Sequence, residues 1–294
     1  MTNKVGGEKM SIVWMNGAFI DRSEAKVDIE DRGCQFGDGI YEVIRVYNGK
    51  LFTASEHLER LLSSGDKLSI KIEYTVEELK MLMEELVDKN NLETGIVYMQ
   101  VTRGASSRNH AFPSEDTPPT YIAYTKEVKI PFEQMDNGVS AITVEDIRWS
   151  RCDIKSLNLL GNVIAKQKAA EADCYESIQY RDLTVTEGSS SNIWIMKDNI
   201  VKTHEANQFI LNGITRQKII QLCKENEIEV LEESFTIEDL IDADEVFLSS
   251  TTAEVMPIIS INNVPVGNGE IGPVTRNLQK LFKDAIESEC GQLV

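Results

Sequence analysis

A lysine, a glutamate and two turns of small residues have types and spacings that favour chemistry. Lys155 ends a short alternation of polar and apolar residues, and a helical pattern follows it at once. Glu187 precedes a serine-rich turn, Gly213-Ile214-Thr215 opens a helix, and Ser249–Thr252 ends a strand. An amine for a Schiff base, a carboxylate for a ring nitrogen and turns for a phosphate are the groups that hold a phosphorylated pyridine aldehyde.

Each of these residues also has an ordinary explanation, which the residue types leave open. Most lysines are solvated, and a threonine such as Thr215 often caps a helix. Arg60 could pair with Glu56, one helical turn earlier. Arg108 and His110 would be solvated in a loop without a function. The functional interpretation therefore depends on which other motifs accompany these residues along the chain.

Several longer strings occur in one order between residues 13 and 281. They are Glu30–Val43, Glu56–Leu61, Val101–Gly104, Arg108–His110, Asp153–Leu160 and Thr184–Asn192. Any one of them would be a weak signal, but the ordered set is highly specific. Together they resemble the fold-type IV aminotransferases that use pyridoxal phosphate (PLP), and most of all the bacterial D-amino-acid aminotransferases.

The resemblance implies roles for the cofactor contacts. Lys155 would form the Schiff base and carry the proton between the substrate and the cofactor, and Glu187 would pair with the ring nitrogen. Further cofactor contacts are expected at Leu211, which packs beside the ring, at Arg60, Ile214, Thr215 and Thr251, which surround the phosphate, and at Ser250. No metal ion is expected, since the three histidines are far apart in sequence.

The same resemblance implies a substrate and an assembly. Tyr41, Arg108 and His110 match the residues that bind the substrate carboxylate in D-amino-acid aminotransferases. In that family, the loop that carries the residues matching Arg108 and His110 reaches the neighbouring subunit of a homodimer. The expected reaction is a transamination between a D-amino acid (D-alanine or D-glutamate) and a 2-oxo acid (pyruvate or 2-oxoglutarate). Ser107 replaces a proline of the relatives and could loosen this loop.

Two alternatives to this reaction remain. A branched-chain L-amino-acid aminotransferase or an aminodeoxychorismate lyase would share the lysine and the glutamate but differ at Arg108 and His110. A non-catalytic acidic binding module would be of another class and would give colourless protein. The absorbance of the purified protein, and its response to D-alanine, would separate these possibilities.

The composition excludes other classes of partner. The 294 residues carry a net charge of −18, from 30 basic and 48 acidic residues, which disfavours nucleic acid and anionic membranes. No apolar run approaches the roughly 20 residues of a membrane span. Five widely spaced cysteines without a Cys-x-x-Cys motif indicate reduced thiols and a cytoplasmic protein.

Local patterns predict the elements that would position these residues. Asn16-Gly17 predicts a hairpin, and Ser55 is expected to cap a helix from residue 56 to about 64. Thr75 and Glu78 form a capping-box pattern before a helix at 76–90. Residues 103–119 make a long, proline-bearing loop, and such loops are often functional.

The succession of elements predicts an α+β fold in two domains. The boundary is placed at residue 130: residues 1–130 form an N-terminal α/β two-layer sandwich, and residues 131–294 form a larger, strand-rich C-terminal domain that carries Lys155. Residues 1–10 are expected to be a disordered extension, since they are polar and contain glycine. The resemblance further implies a pseudo-barrel for the second domain and a cofactor in the cleft between the two.

Overall fold

A computed structural model describes residues 11–293, so the expected extension at residues 1–10 lies outside the described part of the chain. The chain divides into two compact units. The first holds residues 11–129, 155–157 and 293, and the second holds Ile130–Ile154 and Asn158–Gln292. The lysine segment thus groups with the first unit, whereas the sequence interpretation assigned it to the second domain, because its backbone pairs with a strand of the first unit.

The first unit is an antiparallel sheet with helices on one face. The six strands lie in the order β2-β1-β6-β5-β3-β4. They are β1 (Ile12–Met15), β2 (Ala18–Asp21), β3 (Gly39–Tyr47), β4 (Lys50–Phe52), β5 (Gly95–Thr102) and β6 (Thr120–Glu127). The helices are α1 (Arg32–Phe36), α2 (Ala54–Leu68) and α3 (Val76–Asn90). Fully buried Ile40 and Ile44 of β3 belong to the core with Leu58 and Leu61 of α2.

Two helix starts in this unit differ in how well the sequence predicts them. The capping box of Thr75 and Glu78 is present, and α3 has the predicted bounds. The helix predicted from residue 56 lies within α2, but its predicted cap is wrong, because the helix begins at Ala54, before Ser55. Thr53 precedes it with a left-handed φ of 52° and no side-chain cap, so the local capping pattern did not decide the start.

The second unit contains a nine-stranded mixed sheet in the order β12-β11-β10-β13-β14-β7-β8-β9, with β15 paired to β14. Parallel pairs join β7 to β8, β14 to β7 and β11 to β12. The strands are β7 (Val139–Glu145), β8 (Glu176–Arg181), β9 (Thr184–Gly188), β10 (Asn192–Lys197), β11 (Ile200–Thr203), β12 (Val230–Glu232), β13 (Glu245–Ser250), β14 (Glu254–Ile261) and β15 (Val264–Pro265).

Five helices complete this unit: α4 (Phe132–Asn137), α5 (Leu160–Glu171), α6 (Ile214–Glu225), α7 (Ile237–Ile241) and α8 (Pro273–Cys290). Its core includes Ile178, Ile193, Leu248 and Met256. The predicted α+β fold, a sandwich followed by a larger strand-rich part, is confirmed. Within residues 11–293, no helix has the length and hydropathy to cross a membrane.

Candidate active site

The lysine segment is positioned by the start of β3. The Tyr41 amide donates to the Lys155 carbonyl at 3.0 Å, and the Leu157 amide donates to the Gly39 carbonyl at 2.9 Å. A Cβ on Gly39 would lie 2.7 Å from Leu157 Cδ1 and 2.8 Å from the Val101 carbonyl oxygen, so only glycine allows this approach. The Lys155 amine lies 4.3 Å from the centroid of the Tyr41 ring. The structure therefore brings these two predicted residues together.

Arg60 is fixed by a carboxylate that the sequence interpretation did not name. Glu42 of β3 is fully buried and accepts hydrogen bonds from Arg60 Nε at 2.6 Å and Nη2 at 2.8 Å. The same carboxylate bonds His57 Nδ1 at 2.7 Å. Burial raises the pKa of Glu42, but the charges and hydrogen bonds of Arg60 and His57 outweigh this effect and hold the pKa well below its usual value. The observed partner of Arg60 is thus Glu42, where the sequence alternative had Glu56.

The two residues predicted to bind the substrate carboxylate lie side by side on the loop after β5. Arg108 and His110 are both exposed. The Arg108 guanidinium lies 4.6 Å from the centroid of the Phe36 ring, and the His110 ring lies 5.4 Å from it. Arg108 Nη1 also donates to Gln35 at 3.4 Å. No hydrogen bond or ring contact within residues 11–293 joins either residue to Tyr41, so the substrate set is only partly assembled.

Glu187 lies at the end of β9 in the second unit, buried to 6% exposure. Arg148 Nη1 donates to its Oε1. The backbone amide of Leu211 donates to Oε2 at 3.0 Å, and Asn192 Nδ2 donates to the same oxygen at 3.2 Å. Burial raises the pKa of Glu187, and the Arg148 charge opposes that rise. The structure therefore joins Glu187 to Leu211, the two residues expected to contact the ring.

Arg148 belongs to a buried network that sets its orientation. Asp146 accepts from Arg148 Nε at 2.9 Å and from Nη2 at 2.8 Å. Thr186 Oγ1 donates to Asp146 Oδ2 at 3.0 Å. Burial raises the pKa of Asp146, but the hydrogen bonds and charge of Arg148 outweigh it and hold that pKa well below its usual range. Arg148 is consequently shared by two carboxylates, those of Asp146 and Glu187.

The start of α6 has the properties of a phosphate site. No side chain caps this helix at Gly213, so the backbone amides of its first turn remain available for an anion. A Cβ on Gly213 would lie 2.2 Å from Asn192 Oδ1. Asn192 thus contacts both Gly213 and Glu187, which links the helix start to the ring partner. Ile214 and Thr215, the residues expected to contact the phosphate, are the first two residues of α6.

Ser250 and Thr251 follow from the end of β13, against which α6 packs. Ser250 Oγ accepts from the Ala253 amide at 3.1 Å and so closes the turn after the strand. Both residues are half-buried. Their position beside the α6 layer agrees with a phosphate role but does not by itself require one.

The serine-rich turn after Glu187 has its own buried support. Glu176 is 2% exposed and accepts from the Ser189 amide at 3.2 Å, from the Ser191 hydroxyl at 2.9 Å and from the Ser189 hydroxyl. These bonds fix the path of the chain as it leaves β9.

Sequence reasoning missed the residues that hold the predicted ones in place. They are Glu42, His57, Asp146, Arg148, Glu176 and Asn192. Glu42 and Asn192 lie inside the motif strings, and a buried charge in an alternating strand is a usable signal. Arg148 and Glu176 could be found only from the register of β7, β8 and β9.

The residues present fit a phosphorylated pyridine aldehyde as a set of donors and acceptors. Lys155 supplies an amine, Glu187 supplies a buried acceptor for a ring N–H, and the uncapped start of α6 supplies amide donors for a phosphate. No cluster of three or more possible metal ligands occurs in the part of the chain that the structure describes.

Comparisons with known proteins agree with this chemistry. A family model described as amino-transferase class IV matches residues 39–261. The D-alanine aminotransferase of Staphylococcus aureus (strain MSSA476) is 53% identical over 279 residues, which cover 95% of this chain and 99% of that protein.

Two solved structures are also similar. The branched-chain amino acid aminotransferase of Escherichia coli superposes with a TM-score of 0.90 and 27% identity over 97% of each chain. The T.th. branched-chain amino acid aminotransferase, solved as a complex with N-(5'-phosphopyridoxyl)-L-glutamate, has a TM-score of 0.88 and 28% identity over 97% of this chain and 95% of that one.

Proposed function

Because the chain belongs to the class IV aminotransferase family, we propose that Lys155, Glu187 and the start of α6 are the groups with which it uses its cofactor. The chain is a PLP-dependent aminotransferase that acts on D-amino acids. The observation that carries the assignment of residues is the buried Glu187, whose carboxylate accepts hydrogen bonds from the Leu211 amide and from Asn192, a residue that lies against Gly213.

The proposed substrates follow from relatives that are identical to this chain at half or more of the aligned residues. Proteins that are 50–53% identical over nearly the whole chain are named D-alanine aminotransferase. D-Alanine with pyruvate is therefore the proposed first pair, and D-glutamate with 2-oxoglutarate is the second. The branched-chain enzymes are similar in fold at only 27–28% identity, which gives an L-amino-acid reaction weaker support.

Bound PLP supplies the aldehyde that takes the substrate amine and the ring that accepts electrons from the substrate α-carbon. With PLP bound, the Lys155 amine would take the proton from the substrate α-carbon and hold it for return. Glu187 would accept the hydrogen bond of the ring nitrogen and keep its proton in place. The phosphate would be held by Arg60, Ile214, Thr215, Ser250 and Thr251, and Leu211 would pack beside the ring.

Arg108, His110 and Tyr41 are proposed to bind the substrate carboxylate in a homodimer with shared sites. A guanidinium can bind a carboxylate with two parallel hydrogen bonds. The exposure of Arg108 and His110 in the single chain supports a role across a subunit boundary.

An exposed apolar patch supports the same assembly. Its side chains are Ile147 (57% exposed), Trp149 (39%), Leu160 (73%), Val163 (59%) and Ile164 (39%). Exposed apolar surface often marks an interaction site. We propose that this patch, called here the α5 patch, is covered by the second copy.

The remaining proposals concern the surroundings of the enzyme. The net charge of −18 supports the absence of nucleic acid and membrane among its partners. No disulfide joins the five cysteines, all of which lie within residues 11–293, and this supports a cytoplasmic location.

An absorbance experiment tests the proposed function. Purified protein with bound PLP should change its visible spectrum on addition of D-alanine and hardly respond to L-alanine or L-leucine. Lys155→Ala should abolish the conversion of D-alanine to pyruvate, whereas Lys168→Ala, which removes an exposed lysine of α5, should not. A response to L-leucine alone would support the branched-chain alternative and refute the D-specific one.

A further inference from the structure

We propose that Arg32 is a positioning residue, which holds the loop after β5 that carries Arg108 and His110. Through these two residues it would affect the binding of D-amino acids. This inference rests on the proposed function of those two residues. Arg32 is 3% exposed, although it follows a turn at the surface of the first unit.

The guanidinium of Arg32 bonds the backbone of the loop. Nη1 donates to the Asn109 carbonyl at 2.6 Å and to the Ala111 carbonyl at 3.3 Å. Nη2 lies 3.5 Å from the His110 carbonyl oxygen. These three carbonyls span the segment that carries His110 and directly follows Arg108. Since the bonds go to the main chain, Arg32 sets the path of the loop whatever side chains it carries.

Asp38 fixes the other side of the guanidinium. Its Oδ2 accepts from Arg32 Nε at 2.7 Å and from Arg103 Nε at 2.8 Å. Arg103 Nη1 and Nη2 donate in turn to the Ser69 and Leu68 carbonyls at 2.8 and 2.7 Å. Burial raises the pKa of Asp38, but the two arginines outweigh it and keep that pKa below its usual value. Arg32 is therefore held by an ionised carboxylate that is anchored to the end of α2.

The ring of Phe36 completes the contact between α1 and the loop. The Arg32 guanidinium lies 4.7 Å from the ring centroid, and that of Arg108 lies 4.6 Å from it. His110 approaches the same ring at 5.4 Å, and Gln35 accepts from Arg108. The five-residue helix α1 thus supplies both the residue that anchors the loop backbone and the aromatic ring that the side chains of Arg108 and His110 contact.

α1 itself is held tightly enough to act as an anchor. Asp31, which is 1% exposed, accepts from the Gly33 amide and from Thr102 Oγ1 at 2.8 Å each. The Arg32 amide donates to the Gly104 carbonyl at 2.9 Å. These bonds join α1 to the end of β5, from which the loop departs.

The test replaces Arg32 by lysine, which keeps the charge but not the planar fork of donors. We expect kcat/KM for D-alanine to fall roughly 10- to 100-fold, as for a small misplacement of a binding group. The single-turnover rate with D-alaninol, which has no carboxylate, should stay within about twofold. Equal losses with both substrates would mean a general structural defect and would overturn the inference.

A double-mutant cycle separates this inference from the proposed function. In an Arg108→Ala background, Arg32→Lys should cost less than about threefold, because the group that it positions is gone. If Arg108→Ala alone leaves kcat/KM unchanged, the proposed function fails. If Arg108→Ala is costly but Arg32→Lys costs the same in both backgrounds, the positioning role fails.

Two further variants guard against misfolding and nonspecific effects. Gln35→Ala removes only the hydrogen bond to Arg108, and it should lower kcat/KM for D-alanine severalfold without affecting D-alaninol. Arg276→Lys is the matched control, because Arg276 also donates to two consecutive carbonyls, those of Met135 and Asp136. In Arg276→Lys, the ratio of kcat/KM for D-alanine to the single-turnover rate with D-alaninol should equal that of the unmodified protein. A ratio that changes as much as in Arg32→Lys would refute the assignment.

Discussion

Arg148 and Glu187 form a buried ion pair in which the arginine also bonds Asp146. The carboxylate proposed for the ring nitrogen is therefore already paired on its Oε1 side, while its Oε2 side is tied to Leu211 and Asn192. Burial raises the pKa of Glu187 and the Arg148 charge opposes this. Arg148 thus decides over what pH range the carboxylate is ionised.

Arg148→Gln is expected to shift the acid side of the kcat profile to higher pH. Without the guanidinium, the pKa of Glu187 rises further, so the ionised form is lost at a higher pH as the pH falls. At neutral pH, kcat should fall roughly tenfold, because that factor corresponds to the free energy of one hydrogen bond to a charged group. Arg181→Gln is the control, since Arg181 pairs with Asp146 instead. An unmoved acid limb in Arg148→Gln would contradict this account.

Glu42→Gln is expected to weaken PLP binding through Arg60. The amide keeps the shape of the side chain but loses the charge that holds Arg60 Nε and Nη2. We expect the Kd for PLP to rise about tenfold, measured by titrating the cofactor-free protein. Glu56→Gln is the matched control, because Glu56 is exposed and is the partner that local helix spacing favoured. Equal effects of the two substitutions would reject a specific role for Glu42.

The stability of the first unit should depend on pH through His57. Burial lowers the pKa of this histidine, and the pull of Glu42 only partly opposes it. The unfolded chain therefore binds more protons than the folded chain just below about pH 6.5, so this contribution to stability is lost as the pH falls from about 6.5 to the lowered pKa. His57→Gln, with PLP saturating, should flatten the dependence of the free energy of unfolding on pH just below about pH 6.5. An unchanged slope would exclude His57 as its source.

The sequence predicted the chemistry better than it predicted the buried residues and strands that hold the candidate site residues in place. Lys155 and Glu187 lie in strings whose order is specific, and the capping box of Thr75 is a local signal that the structure contains. Strand β9 was not predicted, because its residues resemble a turn when read without their neighbours. The pair of Arg148 and Glu187 depends on strand register between residues 39 apart, and no local pattern encodes that distance.

The lysine segment shows the same limit for domain organisation. Composition and spacing place a boundary near residue 130, and the two units divide between Lys129 and Ile130. Residues 155–157 nevertheless group with the first unit, because they pair with Gly39 and Tyr41. A three-residue backbone pairing across more than a hundred residues leaves no trace in hydrophobic periodicity.

Val163→Glu is expected to convert the proposed dimer into monomers. The residue lies 59% exposed in the α5 patch, and burying a carboxylate there in an interface would cost several kcal/mol. Light scattering should report half the mass. Leu183→Glu is the control, since Leu183 is also exposed, at 66%, but lies in the turn between β8 and β9. A Val163→Glu protein that keeps its mass would remove the α5 patch from the interface.

Mixing two inactive variants tests whether Arg108 serves the neighbouring subunit. Lys155→Ala should lose activity about 10²- to 10⁴-fold through the missing base, and Arg108→Ala should lose about ten- to more than a hundredfold in kcat/KM. The visible spectrum of Arg108→Ala should survive, because no cofactor contact is lost.

If the loop acts across the dimer, each mixed dimer contains one site in which both residues are intact. Activity should then return after subunit exchange, up to about a quarter of the unmodified level when equal amounts mix at random, since half the dimers are mixed and each has one complete site. Two copies of the same variant, taken through the same exchange, give the baseline. Exchange demonstrated by mass spectrometry without regained activity would mean that Arg108 serves the lysine of its own chain.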